Sequence, residues 1–530
     1  MRPLVRTLAA ALAGVGAGLS FEPYHWAYLL PVCVAVLTLL CTVSRPSPEP
    51  DSRARDARRG FWLGFVFGAA FMLVLLPWLT VIGSYAWVPL AIIEGLFYGL
   101  AGLATVFVVR LPAWPLWAAA SWVAVEALRA SFPFGGFPWG RLAFATEDTP
   151  VAPVLAYVGA PGATFLVALV GTTLAWAVLV ARRSPVRAAI GLVGAVVLAT
   201  FAAVAPYPHT IPGQTPRRIT VAAVQGNVPG VGLEAFAERR AVLNNHVAAT
   251  QALARRIDAG KAPRPDLVLW PENSSDIDPY ADLGANVAIA DAARAVRAPL
   301  LMGAVVGDRV DSGWYNRAIL WSANGTPGAY YDKTHPVPFG EYIPLRSLLA
   351  PLVPALDQIP SDMVRGTRPG VLKTAGTRVG VLMCFEVVYD GLLHGLVRDG
   401  ADLIVVPTNN ATYTGTGQID QQFAMSRLRA IETNRYVVVA STNGISGVIA
   451  PDGHVVARAP EQRQAVLEQR LPLTTRTTPA TEMGPWPERA LTAISAISVI
   501  VALLLGYRRR SGRQQVPAPA PELSRSTQRA

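Results

Sequence analysis

Eight long apolar runs dominate the 530-residue chain, at about 4–21, 26–44, 61–83, 86–109, 112–130, 151–181, 187–206 and 488–507. A helix needs about 20 residues to cross the hydrocarbon core of a bilayer, so the pattern predicts eight membrane helices. The fifth run is the weakest, interrupted by Pro112, Pro115 and Glu126. The sixth carries Pro161, where a kink or a start outside the membrane is expected. Between the seventh and eighth runs the rhythm changes. Short apolar stretches at 219–224, 267–270, 300–306, 318–321, 379–383, 403–406 and 437–441 read as strands. Helical patterns lie between them at 234–257, 281–297, 391–398 and 420–433. Such alternation predicts an α/β domain with buried sheets.

Composition supports the same division. Hydrophobic residues make up 52% of the chain and charged residues 15%, against roughly 25% charged in soluble domains. Mean hydropathy is +0.35. The net charge of +11 does not point to nucleic acid, because the basic residues flank the apolar runs. Arg2 and Arg6 precede the first; Arg45, Arg53, Arg55, Arg58 and Arg59 follow the second. Arg110 follows the fourth, Arg182, Arg183 and Arg187 the sixth, and Arg508 to Arg510 the last. With alternating spans all of these fall on one side, which the positive-inside rule makes cytoplasmic. The connections after the first and third runs carry no Arg or Lys.

Arg2 and Arg6 ahead of a short apolar run imitate a signal peptide, but seven further runs predict a retained helix. The expected organisation has four parts: a membrane domain over 1–210 with about seven helices, an extracytoplasmic α/β domain over 215–480, an eighth helix over 488–507 and a cytoplasmic tail over 511–530. The tail's Pro, Ala, Ser and Gln content predicts disorder. Both termini are expected in the cytoplasm, with the chain held in a membrane. The three cysteines, Cys33, Cys41 and Cys384, form no disulfide framework.

Three segments share one grammar, an apolar strand with reactive groups directly after it. In the first, Trp270-Pro271-Glu272-Asn273, a carboxylate at a buried strand end is partly desolvated, which raises its pKa toward the range of a general base. A surface Glu in a turn opened by Pro271 is the plain alternative. The second runs from Tyr331 through Lys333, His335 and Gly340 to Glu341 and Tyr342. Lys333 there is suited to stabilise a thiolate or an oxyanion, or is simply solvated in a proline-rich loop. Lys261, Lys333 and Lys373 are the only lysines, so one inside a motif stands out. In the third, Cys384-Phe385-Glu386 ends the run 379–383. A helix after Cys384 would lower its thiol pKa; a small core residue is the alternative.

Together, Glu272, Lys333 and Cys384 resemble the Glu-Lys-Cys triad of the nitrilase superfamily. The strings Trp-Pro-Glu, Lys-x-His-x-Val-Pro-Phe-Gly-Glu and Met-Cys-Phe-Glu match it closely. With the apolar runs added, the chain resembles the membrane-bound N-acyltransferases of lipoprotein maturation. That resemblance implies a nitrilase-like αββα sandwich inserted between transmembrane helices 7 and 8. It also implies ping-pong transfer of an acyl group from a phospholipid, through a Cys384 thioester, to the N-terminal amine of diacylglyceryl apolipoproteins. Glu272 is then the base, Lys333 and the Phe385 N–H stabilise the oxyanion, and Glu341 and Glu386 support them. No cofactor or metal is implied; membrane lipid is the medium. Gln225-Gly226-Asn227 resembles the opening of such a domain, but no Trp comes after it, the nearest aromatic being Phe236.

Two competing functions accompany this reading. One is a membrane-anchored nitrilase-like amidase. The other is a membrane scaffold partner of a polyprenol-phosphate mannosyltransferase, although no glycosyltransferase sequence comes after the eighth run. His335 offers a Cys-His dyad or a loop-structuring hydrogen bond, with the second preferred; His394 and His454 stand isolated. Glu126 has Arg129 one turn on, which predicts an ion pair. The loop 132–141, rich in Phe and Trp, predicts an interfacial anchor or a lipid guide.

Overall fold

The computed structural model describes residues 3–42, 52–203, 217–230, 240–307, 313–352, 356, 359 and 361–514. The segment around Phe236, the position of Arg45 and the tail from 515 lie outside these residues.

Every apolar run forms a helix. They are α1 (Pro3–Gly18), α2 (Leu29–Thr42), α3 (Ser52–Leu75), α4 (Ser84–Val108), α5 (Trp114–Arg129), α6 (Leu155–Ala181), α7 (Pro185–Ala203) and, after the α/β domain, a final helix Trp486–Gln514. Among the described residues, four helices are long and apolar enough to cross a membrane: Arg53–Leu75, Ser84–Val108, Ala152–Ala181 and Trp486–Gly506. The others are shorter than the runs that predicted them. The third helix lies nearer the N-terminus than its apolar run. Pro77 opens a 3-10 turn that ends it, and Arg53 to Arg59 lie on its first turns. Pro115 is accommodated in the first turn of α5, where its missing N–H has no helical partner to lose. The expected irregularity near Pro161 is present, because Gly159 has φ 66° and interrupts α6.

α3 and α4 approach closely through glycines. A Cβ on Gly64 would lie 2.2 Å from the Tyr98 carbonyl oxygen, and one on Gly102 2.2 Å from that of Gly60. Small residues are the usual means of such contact between membrane helices. The expected Glu126–Arg129 pair does not form. Arg129 instead pairs with Glu94 at 3.0 Å and donates to the carbonyls of Phe137 and Trp139. Glu126 accepts from Leu142 N–H and the Thr164 hydroxyl, each at 2.8 Å. Both groups thus hold the loop after α5, whose fold their spacing in sequence does not report.

The α/β domain contains β1 (Arg218–Gln225), β2 (Leu267–Leu269), β3 (Leu300–Gly307), β4 (Trp314–Trp321), β5 (Pro327–Asp332), β6 (Val371–Thr374), β7 (Thr377–Val381), β8 (Leu403–Thr408), β9 (Val437–Ser441), β10 (Gly447–Ile449), β11 (Val455–Arg458) and β12 (Ala465–Pro472). Its helices are α8 (Ala241–Asp258), α9 (Leu283–Val296), α10 (Arg346–Leu349), α11 (Asp390–Arg398), α12 (Gln418–Thr433) and α13 (Pro479–Met483), which leads into α14 (Trp486–Gln514). The strands build two six-stranded sheets, ordered β12-β1-β2-β3-β4-β5 and β11-β10-β9-β8-β7-β6. Parallel pairs lie at the centre of each, with antiparallel strands outside them.

Three cores order the layers. Val221, Leu269 and Leu301 of one sheet meet Val381, Val405 and Val438 of the other between the sheets. α8 and α9 cover the outer face of the first sheet, and α11 and α12 that of the second. The result is an αββα sandwich. A fourth core joins the domain to the helices: Phe385, Val387, Val388, Met425, Leu428 and Ile431 share one apolar cluster with residues of α1 to α4 and α6.

Candidate active site

The reactive groups stand where central strands end. Glu272 comes after β2 in a turn set against β3. Gly303 N–H donates to the Pro271 carbonyl at 3.0 Å, and Ser275 N–H to the Gly303 carbonyl at 3.1 Å. Gly303 has to be small there, because a Cβ would come within 2.6 Å of the Glu272 Cα. Lys333 leaves β5, and its N–H donates to the Asn316 carbonyl of neighbouring β4 at 2.9 Å. Cys384 stands just beyond β7 with φ 51°. A left-handed backbone at a residue with a Cβ costs of order 1–3 kcal/mol and gathers at functional sites.

Buried charges dominate the geometry. Lys333 Nζ lies 2.8 Å from Glu272 Oε1 and 3.0 Å from Glu341 Oε2. Asn316 Nδ2 donates to both carboxylates at 2.7 Å. Asn409 N–H donates to Glu272 Oε2 at 3.0 Å, and Val337 N–H to Glu341 Oε2 at 2.7 Å. Burial raises the pKa of Glu272, against the opposing pull of Lys333. Lys333 is held well above its ordinary value, because its two carboxylate neighbours outweigh burial.

The thiol of Cys384 responds to the same charges, and it faces the Thr408 hydroxyl and the Asn409 N–H. Burial first, then the charge of Glu272, pushes it up to about 12, against the pull of Lys333. The expectation of a helix-lowered thiol therefore fails. Cys384 opens a five-residue 3-10 turn, Cys384–Val388, too short to supply a substantial dipole.

Glu386 is fully buried and gathers donors from two segments. It accepts from Met383 N–H (2.9 Å), Thr334 N–H (2.7 Å), His335 N–H (3.0 Å) and the hydroxyls of Tyr331 and Thr334. Despite burial, the contact with His335, the charge of Lys333 and these bonds hold its carboxyl below the ordinary range. It thus fastens the Cys384 turn to the Lys333 loop. The His335 ring stacks on Tyr389 at 4.2 Å, and its Nδ1 lies 3.0 Å from the Thr334 hydroxyl. That is the loop-structuring place preferred over a dyad. His394 is not isolated: its Nε2 lies 3.0 Å from Glu432.

The loop after α5 reaches the Cys384 turn. Phe385 stacks on Phe137 (5.8 Å) and Trp139 (6.0 Å). Trp139 and Trp78 both donate to Gln421 Oε1, at 2.7 and 3.1 Å. This contact with the residue beside Cys384 goes beyond an anchoring role. Sequence reasoning singled out the loop that carries Trp139 but missed Asn316, Asn409 and Gln421. Asn409 was within reach, since Thr408-Asn409-Asn410 repeats the grammar of a buried strand ending in polar groups.

The comparisons with known proteins agree over nearly the full length. Residues 13–173 match the apolipoprotein N-acyltransferase N-terminal domain, and residues 220–478 the carbon-nitrogen hydrolase family. The apolipoprotein N-acyltransferase of Mycolicibacterium smegmatis is 40% identical over 516 residues, covering 94% of this chain and 85% of its own. Those of Azotobacter vinelandii and Chromobacterium violaceum are 30% and 29% identical. The first covers 98% of both chains and the second 96% of both. The chain belongs to the apolipoprotein N-acyltransferase family.

Proposed function

We propose that this chain transfers a fatty acyl group from a phospholipid to the N-terminal amine of S-diacylglyceryl-cysteine in apolipoproteins. The observation that carries the reading is one cluster: a half-buried cysteine and a buried Glu–Lys pair, beside aromatic residues from the loop after α5.

Glu272 takes the Cys384 proton as sulfur attacks the sn-1 ester carbonyl. The S–C bond forms, and the developing oxyanion meets Lys333 and the Phe385 N–H. Lys333 has three N–H donors; Glu272 and Glu341 engage two, which leaves one for the oxyanion. The C–O bond then breaks, and the lysophospholipid leaves with the proton from Glu272. In the second half the acceptor amine attacks the thioester. The N–C bond forms, the S–C bond breaks, and Glu272 carries the amine proton back to Cys384. Splitting the transfer through a thioester replaces one difficult step with two easier ones. Glu341 and Asn316 hold Lys333 and Glu272, and Glu386 holds the turn.

The eight helices serve as a multi-pass anchor, with the catalytic domain outside the cytoplasm and both termini inside. The asymmetric arginines support this orientation.

The test weighs the protein after incubation with phosphatidylethanolamine alone. The expected product is Cys384 heavier by one acyl group, lost on addition of a diacylglyceryl peptide, which becomes triacylated. A chain whose mass does not change with lipid, yet which turns over soluble amides, would make it an amidase instead. Full biological activity of Cys384→Ala would favour the scaffold role beside a mannosyltransferase.

A further inference from the structure

Away from the catalytic cluster, three acid–base side chains converge at the junction of the helices and the α/β domain. Glu22 and His25 come from the connection between α1 and α2, and Glu147 from the loop before α6. His25 Nδ1 lies 3.0 Å from Glu22 Oε1 and 3.4 Å from Glu147 Oε1. The three ligand atoms lie within 4.8 Å of one another. Metal–ligand bonds of about 2.0–2.2 Å place adjacent ligands of a tetrahedral or octahedral ion roughly 3.0–3.5 Å apart, the spacing that His25 has to each carboxylate.

Glu147 supplies a second, independent observation. Its side chain is 1% exposed, and its Oε2 is buried without a hydrogen-bond partner among the described residues. A carboxylate oxygen left this way is a poor end state for a protein interior. A cation explains it.

We infer that Glu22, His25 and Glu147 form a binding site for one divalent transition-metal ion. An imidazole with two carboxylates suits Zn2+ or Co2+ better than Mg2+ or Ca2+. The side chains of His25 and Glu22 are 35% and 23% exposed, so the ion has access and water can complete its shell. The ion would clamp the α1–α2 connection to the loop before α6. Through the Glu22 carbonyl, which accepts from Gln421 Nε2 at 2.9 Å, it would also brace α12.

The surrounding charges are compatible. Asp148 Oδ2 lies 3.7 Å from His25 Nε2 and pairs with Arg427, while Asp420 adds negative potential at Glu22.

The test uses the purified full-length chain, stripped with chelator and dialysed against Zn2+. The expected result is one Zn2+ per wild-type chain by elemental mass spectrometry. Asp148→Asn should retain it, and His25→Ala and Glu147→Gln should lose it. Zn2+ should also protect His25 from diethyl pyrocarbonate in the wild-type chain, which needs no variant to fold. A wild-type chain without bound Zn2+, His25 modified equally with and without it, or His25→Ala binding as much as wild type would each overturn the site.

Discussion

At the residue scale the site is organised around a proton that does not leave early. The Cys384 thiol stands near 12, so almost no resting thiolate exists at neutral pH. In the proposed mechanism, attack on the ester then has to coincide with transfer to Glu272. Burial raises the Glu272 carboxyl, which makes it a stronger base than an exposed glutamate and a better match for that transfer. With Glu272 as the proposed base, the active form has it ionised, so the rate of thioester formation should rise as pH rises through the Glu272 pKa. Lys333 is held well above its ordinary value, so no fall is expected below about pH 10. Thioester formation measured with phospholipid alone should show one acid limb, above the ordinary carboxylate range, and a plateau. A maximum near pH 7 with a decline by pH 9 would contradict this assignment. Omitting the acceptor matters, because its own α-amine titrates near pH 8 and would add a second rise.

At the element scale, α12 carries the turn that begins at Cys384. Arg429, fully buried, donates to the carbonyls of Val387 and Val388 at 2.7 and 2.9 Å, to Asp390 at 2.7 Å and to Glu432. Arg141 reaches Asp390 from the helical side at 2.6 Å and Glu488 at 2.7 Å. Despite burial, Arg141 and Arg429 hold Asp390 well below the usual carboxylate range. Replacing Arg429 by Leu leaves two buried carboxylates and two carbonyls short of a donor. The expected loss is about 3–5 kcal/mol, read in thermal unfolding, with slower acylation of Cys384 in the fraction that stays folded. Unchanged unfolding would mean that the turn is held by its apolar contacts alone.

Elements also explain what was legible in the sequence. The central strands β2, β3, β7, β8 and β9 are buried over all or nearly all of their length, so each reads as a largely apolar run, β7 only after its exposed Arg378. Glu272 and Cys384 were visible because they end such runs. β5, β6 and β12 lie at the sheet edges and mix exposed with buried positions, and β11, also at an edge, has none buried; β10 is only three residues long. Those strands carry no comparable signal. Asn316 is hidden for another reason, since it sits inside β4 with its amide turned toward two carboxylates from other segments. The Arg141–Asp390 bond spans 249 positions, and no local pattern reports a partner so distant.

At the scale of the whole molecule, the two halves share structure as well as a boundary. Gln421 of α12 accepts from Trp78 and Trp139 and donates to the carbonyls of Glu22 and Leu75. Tyr342 donates to the Phe134 carbonyl at 3.2 Å. The residues after Cys384 lie within the apolar cluster of the helices. In the proposed mechanism a donor lipid then arrives laterally, at a frequency set by its density in the surface and not by its amount per litre. Turnover in mixed micelles should track the mole fraction of phospholipid. Adding inert detergent at constant total lipid should slow the enzyme in proportion, and adding volume at constant composition should leave the rate per chain unchanged. For this protein, concentration is a two-dimensional quantity.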